Sequence, residues 1–243
     1  MASVLELALL SNAVYSILDP LPIGWQFLQG YGNPDTAGFY AARYRRNECE
    51  VFAIRGTNDI QRDLLVDDIQ IGLNRIPSQW EQCQKEFEKF LKVPNSAPKK
   101  FVTGHSLGGA LAQLLAAKRS DTTVATFNAP GMAQRISTEK SSPANIINFR
   151  ASGDPVSLKG APFGPMTTIS VPSITSGQVK ICVAGIVITG LTGGTGAAAL
   201  TSCAIPTTAS NALYHHSIAT LCIALNGKTE YSRPLNLATR ANA

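Results

Sequence analysis

Three residue types stand in an order that suits nucleophilic attack on a carbonyl. Ser106 lies in Gly104-His105-Ser106-Leu107-Gly108-Gly109, Asp154 lies in Ala151-Ser152-Gly153-Asp154-Pro155-Val156, and the adjacent pair His215-His216 comes last. A serine hydroxyl is a poor nucleophile until a base takes its proton, and the base works best when a carboxylate orients it. Glycines two residues either side of Ser106 are what a sharp strand-to-helix turn needs, because side chains there would collide with the neighbouring strand and helix. The helix that follows would point its positive end at Ser106, where an oxyanion would form. Without a catalytic partner, the same stretch reads as a glycine-rich turn with an incidental serine.

The partners are found by elimination. Between Ser106 and the downstream histidines the carboxylates are Asp121, Glu139 and Asp154. Asp121 lies just past the helix after Ser106 and suits capping or solvating that end. Glu139 sits in the polar run Ser137 to Ser142, which reads as exposed loop. Asp154 follows a strand-like run, and a carboxylate on a loop at a strand's C-terminal end is where α/β proteins gather their ligand-facing groups. An aspartate before Pro155 also suits a purely structural turn. His105 adjoins Ser106, and its side chain must leave the turn in another direction, so it is read as packing beside the turn. His215 and His216 are equally good bases on these grounds, with the other capping or packing near a helix that starts there. An oxyanion needs backbone N–H groups aimed at it. Leu107 supplies one and Gly56-Thr57, in "VFAIRGTND", the other. That segment could equally be an ordinary turn with Thr57 or Asn58 capping the next helix, and both readings can hold together.

The surrounding pattern supplies elements to hold these groups. Phe39 to Tyr44 and Glu50 to Arg55 read as two strands joined at Arg46-Asn47-Glu48. Asn58 or Asp59 can cap a short helix through Ile69. Ser78 and Glu81 form a capping-box pattern for a second helix, whose Trp80, Cys83, Phe87 and Phe90 share a face and which Val93-Pro94 ends. Phe101-Val102-Thr103 ends a buried strand, and Ala110, Leu111, Leu114, Leu115 and Lys118 follow helical spacing. Thr123 to Phe127 and Ile146 to Arg150 read as further strands. Strands alternating with helices predict an α/β fold with a mostly parallel central sheet covered on both faces. Val4, Leu7, Leu10, Val14 and Ile17 predict an amphipathic N-terminal helix.

The 243 residues suit a single domain spanning 1–243. Charged residues are 15% of the chain, against roughly 25% in a typical soluble domain. The deficit is local, since from Gly160 to Gly227 the only charged residue is Lys180. A net charge of +5, spread without a basic stripe interleaved with aromatics, gives nucleic-acid binding no support. It fits weak attraction to an anionic membrane surface better. Cys49, Cys83, Cys182, Cys203 and Cys222 are odd in number and show no C-x-x-C spacing, which speaks against a metal site and a dense disulfide framework. No Lys or Arg precedes Arg43, and Glu6 interrupts the apolar start, so no clear signal peptide is read. Cytoplasmic synthesis is expected, with membrane association or secretion by a signal-independent route still open.

Taken together, five blocks in order make the chain resemble the class 3 lipases, the α/β-hydrolase family that includes fungal triacylglycerol lipases. They are "FAIRGT" with the downstream "RDLLVDD", then "FVTGHSLGGALAQLLA", "FNAPG", "SGDPV" and "HHSI", together spanning about two-thirds of the chain. The resemblance implies a serine esterase of lipid substrates, a lipase or phospholipase A working through an acyl-enzyme without metal or cofactor. It implies Ser106 as nucleophile, Asp154 as acid, and Thr57 with Leu107 at the oxyanion hole. It also favours His216 as base, because the family's histidine often precedes Ser and an apolar residue, as in "HSI". A soluble-ester hydrolase or acyltransferase would use the same machinery. A lipid hydrolase without an obvious signal would need an accessory export route or an inhibitor in its host, so an accessory or inhibitor protein is a conceivable partner.

One stretch matches no block of that family. A glycine-rich uncharged insert at about 160–205 contains "ICVAGIVITGLTGGTGAAALTSC", Ile181 to Cys203. Three readings stand for it: a lid or lipid-docking element, a membrane-inserting helix of about the roughly 20 residues that spanning requires, or a buried strand with a glycine-rich loop. If it were the active element, the chain would be a membrane-perturbing or interaction protein with the hydrolase fold as scaffold. Esterase activity in the absence of membranes separates that reading from an enzyme.

Overall fold

The computed structural model describes residues 1–16, 19–35, 38–57, 77–136, 143–171, 215–226 and 228–237. Helix α1 (Val4–Ala13) comes first, then an antiparallel meander of β1 (Gln26–Gly32), β2 (Tyr40–Arg46) and β3 (Cys49–Ile54). Next are α2 (Trp80–Leu91), β4 (Lys99–His105), α3 (Leu107–Lys118), β5 (Thr123–Phe127), β6 (Ile146–Ala151) and β7 (Met166–Ile169). Helices α4 (Ile218–Asn226) and α5 (Thr229–Ser232) follow. Among the described residues one seven-stranded sheet runs in the order β1 to β7, antiparallel from β1 to β3 and parallel from β3 to β7. This is the expected α/β-hydrolase class, with a mostly parallel sheet between helices.

The sheet's two faces follow from strand alternation. Val51 and Ala53 of β3 and Phe101 of β4 join the core under α1 and α4. Phe52, Ile54 and Val102 join the core under α2 and α3. Successive side chains of a strand point to opposite faces, so a strand buried on both must be apolar at nearly every position. That is why β3 and β4 read as continuous apolar runs.

Helix α1 corrects the expected amphipathic reading. Apart from the half-buried Asn12 it is buried throughout Val4–Ala13, because it lies between β4 and β5 on one side and α4 and α5 on the other. A helix enclosed on all sides is mostly apolar all round, and the buried Glu6 is paired with Arg46. Its one interior hydroxyl, Ser11, meets Thr103 at 2.7 Å. Helix α2 buries Cys83, Phe87 and Phe90 on one face as read, but the capping box from Ser78 is not formed. Gln79 precedes the helix in αR geometry and makes no side-chain cap bond, so the helix begins at Trp80. Within the uncharged stretch, Met166–Ile169 pair with β6 and form the last strand among the described residues. Residues 172–214, including Ile181 to Cys203, lie outside the described residues, as do 58–76 with the expected helix through Ile69 and "RDLLVDD", and Glu139. Among the described residues no helix is long and apolar enough to cross a membrane.

A buried charge cluster lies at the end of β3 opposite Gly56. The Glu50 carboxylate is fully buried and accepts bonds from Arg43 at 2.5 Å, Lys100 at 2.6 Å and the Ala97 N–H at 3.0 Å. Burial pushes its pKa up, but these partners pull it below the usual carboxylate range. Glu50→Ala would leave two cations facing each other in the interior. The expected loss is about 3–5 kcal/mol, read as a lower denaturation midpoint with an unchanged m-value. A loss below about 1 kcal/mol would mean that the cluster behaves like an exposed ion pair.

Candidate active site

Ser106 stands at the end of β4, one residue before α3, with φ 55 and ψ −127. A positive φ at a residue with a side chain is strained and persists only where the surroundings impose it. The glycines do so here. A Cβ on Gly104 would lie 2.4 Å from the Gly108 carbonyl group, and one on Gly108 would lie 2.2 Å from the Ile54 oxygen. Strand β4, helix α3 and the end of β3 therefore approach more closely than any side chain permits. Ser106 N–H donates to the Phe127 carbonyl at 3.0 Å, which ties the turn to β5.

The structure brings Ser106, Asp154 and His216 together. His216 Nε2 lies 2.9 Å from Ser106 Oγ, and His216 Nδ1 lies 2.9 Å from Asp154 Oδ1. A carboxylate oxygen only accepts, so Nδ1 carries the proton and Nε2 offers its lone pair to the serine hydroxyl. All three side chains are buried. Asp154 sits on the loop after β6, where Val156 N–H donates to Oδ1 and Ser157 N–H donates to Oδ2, each at 3.1 Å. Burial pushes the Asp154 carboxyl up, but the His216 bond and charge, with Ser157 and Val156, hold it below the usual carboxylate range. It therefore stays ionised opposite the imidazole.

The geometry separates the two histidines. The ring of His215 packs on the acid loop, where a Cβ on Gly153 would come 3.3 Å from its Nδ1. Only His216 reaches Ser106. Asp121 pairs with Arg119 at the exposed end of α3 at 2.7 Å, as its reading as a helix-end residue implies. Among the described residues no group of three or more His, Cys, Asp or Glu converges as a metal site would require.

Leu107 is the first residue of α3, and its N–H is one of the leading donors that a helix leaves without an internal partner. Thr57 follows Gly56, whose backbone lies against the nucleophile: a Cβ there would be 3.3 Å from Ser106 Cβ. Leu107 thus adjoins Ser106 directly, and Thr57 adjoins the glycine packed against it.

Tyr15 and Asn128, which sequence reasoning left aside, also lie at the site, together with His105, which it read only as packing. His105 does more than pack, since its Nε2 lies 2.6 Å from the His216 carbonyl oxygen and its Nδ1 lies 3.0 Å from the Tyr15 hydroxyl. Burial, with the nearby His216, pushes the His105 pKa down to about 3, so it is neutral at working pH. Asn128 is fully buried with φ 47, and its amide bonds three backbone groups around the site. The sequence offered a faint signal for Asn128 only: asparagine tolerates the left-handed region, and "FNAPG" is a turn-forming string.

The sequence profile described as "Phospholipase-like: Tle-like phospholipase domain" matches residues 6–204. None of the curated proteins matches the chain. Among solved structures, one described as a crystal structure of fungal lipases is similar with a TM-score of 0.46 and 17% identity, covering 71% of this chain and 79% of that one. Lipase II from Rhizopus niveus is similar with a TM-score of 0.37 and 13% identity, covering 63% of this chain and 70% of that one.

Proposed function

We propose that in this chain, which belongs to the phospholipase-like family of the Tle-like phospholipase domain and is a lipid ester hydrolase, hydrolysis runs through an acyl-enzyme on Ser106. The observation that carries this reading is the hydrogen-bonded series from Ser106 through His216 to Asp154, 2.9 Å at each step, on a strained turn. Ser106 Oγ bonds to the ester carbonyl carbon while its proton passes to His216 Nε2. The carbonyl electron pair moves onto oxygen, which the N–H groups of Leu107 and Thr57 stabilise. As the carbonyl re-forms, the bond to the alcohol oxygen breaks and the imidazolium returns the proton to it. Water then repeats the sequence, releasing fatty acid and free Ser106. Asp154 holds the imidazole in one tautomer and stabilises its transient charge.

The substrate within the lipid esters is proposed to be the acyl ester of a phospholipid, making the enzyme a phospholipase A. The family description supports this choice. Such a substrate is presented in a bilayer, so the protein would work at a membrane surface. Leu158, four residues past Asp154 and 62% exposed, places an apolar side chain on the acid loop that such contact could use. Product analysis decides between the ester classes. Phosphatidylcholine or phosphatidylethanolamine vesicles should yield fatty acid and lysophospholipid in equal amounts. Release of diacylglycerol or of phosphatidic acid would place cleavage at the phosphate and sink the proposal. Faster turnover of triacylglycerol emulsions than of vesicles would make the enzyme a lipase.

A further inference from the structure

The segment that carries His216 is gripped by side chains with no part in the ester chemistry. Its carbonyl oxygen accepts two hydrogen bonds, one from His105 Nε2–H at 2.6 Å and one from Asn128 Nδ2 at 2.9 Å. The same Asn128 nitrogen lies 2.9 Å from the His215 carbonyl, and Asn128 Oδ1 accepts from Ala151 N–H at 2.8 Å. Ala151 ends β6, immediately before the loop with Asp154. One buried amide thus ties the base-bearing segment to the acid-bearing strand.

His105 adds a second, directional link. A carbonyl oxygen only accepts, so His105 Nε2 must hold the proton. The neutral ring then offers a lone pair at Nδ1, and the Tyr15 hydroxyl must donate to it at 3.0 Å. The Tyr15 oxygen is left to accept the Gly56 N–H, also at 3.0 Å. Gly56 adjoins Thr57. The series therefore runs from Gly56 N–H through Tyr15 O–H and His105 to the His216 carbonyl, where it meets the bond from Asn128. The His105 and His216 ring centroids lie 4.8 Å apart, so the two imidazoles are neighbours in the buried site.

We propose that Asn128 and His105 are positioning residues that jointly clamp the His216 peptide oxygen and so hold its imidazole between Ser106 and Asp154. The proposal rests on the acyl-enzyme reading above. It explains why a polar asparagine occupies a fully buried, left-handed position, where glycine would satisfy the backbone but make none of the three bonds. It also explains why a histidine that stays uncharged stands next to the nucleophile. Displacement of a reacting group by about 1 Å can cost on the order of 100-fold in rate. The imidazole has two partners to meet at once, so its tolerance is small.

The test compares Asn128→Gly, His105→Leu and His105→Gln with wild type and Ser106→Ala on a short p-nitrophenyl ester. Active sites are counted by total fluorophosphonate labelling, and kcat is expressed per labelled site. Asn128→Gly keeps the backbone conformation open and deletes the three bonds. His105→Leu removes the donor, whereas His105→Gln can place an amide N–H near the position of Nε2. The expected result is a fall of about 10- to 100-fold in kcat per site for Asn128→Gly and His105→Leu, with KM within about two-fold. The labelling rate should fall in parallel, and His105→Gln should recover most of both. Wild-type kcat per site with only a lowered Tm would make both residues structural and overturn the clamp. So would a change confined to KM, or a His105→Gln no better than His105→Leu. If Asn128→Gly does not fold, the two His105 variants decide alone. Hydrolysis surviving in Ser106→Ala would overturn the acyl-enzyme reading instead, a result distinct from any failure of the clamp.

Discussion

Replacing Ser106 with alanine is expected to lower kcat on a short soluble ester by roughly 10⁴- to 10⁶-fold while leaving the fold intact. The hydroxyl is the atom that would form the covalent bond, and neither His216 nor Asp154 can substitute for it. Alanine keeps the Cβ, so the packing among Gly104, Gly108 and Ile54 is undisturbed, and the lost bond to His216 Nε2 lies at the site rather than in the core. Circular dichroism and thermal unfolding should therefore remain close to wild type. Ser106→Gly should be as inactive but more stable, because at φ 55 glycine relieves strain that serine and alanine both carry. A fluorophosphonate should label the wild type at Ser106 alone and leave both variants unlabelled. Retention of a tenth of the wild-type kcat in Ser106→Ala would remove this serine from the nucleophile's role.

Much of the frame is legible in the sequence because central parallel strands have a simple physical signature. β5 is readable at its observed bounds, Thr123–Phe127, and β6 within one residue, because both are short apolar runs bounded by polar residues. The edges are harder. β1 is exposed along most of its length and contains Gln26, Gln29, Gly30 and Gly32, so no hydrophobic alternation marks it. It is a strand because β2 offers it hydrogen bonds. β7 has only four residues, and its pairing with β6 is likewise invisible locally. Helix α1 fails in the opposite direction, since spacing suggests one apolar face while the tertiary neighbours enclose it.

The candidate site divides along the same line. Ser106 and Asp154 are legible because local rules constrain them: a glycine-flanked turn, and a carboxylate after a strand. The histidine is not settled locally, since both side chains start from one short segment and only the fold determines which ring turns toward Ser106. Asn128, Tyr15 and the hydrogen bonds of His105 escape sequence reasoning for a related reason. Their bonds go to backbone atoms far away in sequence, such as the carbonyl of His216 for His105 and the N–H of Gly56 for Tyr15. A backbone acceptor has no residue type, so it leaves no motif at the receiving end.

That division makes the histidine pair the sharpest test of the structure. His216→Ala is expected to lose as much as Ser106→Ala, roughly 10⁴- to 10⁶-fold in kcat, because the base and the nucleophile act as one unit. The double variant should be scarcely worse than either single one. His215→Ala should cost less than about ten-fold: its ring packs on Gly153, and the carbonyl that Asn128 holds belongs to the backbone, which alanine retains. Asp154→Asn should fall between, near 10⁴-fold, since an amide facing Nδ1 favours the imidazole tautomer whose Nε2 carries a proton and cannot accept one from Ser106. Each kcat would be measured on the same soluble ester, so that membrane binding does not enter. A reversed order, with His215→Ala the more damaging, would mean that the working base is the neighbouring ring. Losses from Asp121→Asn matching those from Asp154→Asn would move the acid to the end of α3, where the structure pairs Asp121 with Arg119 in the open.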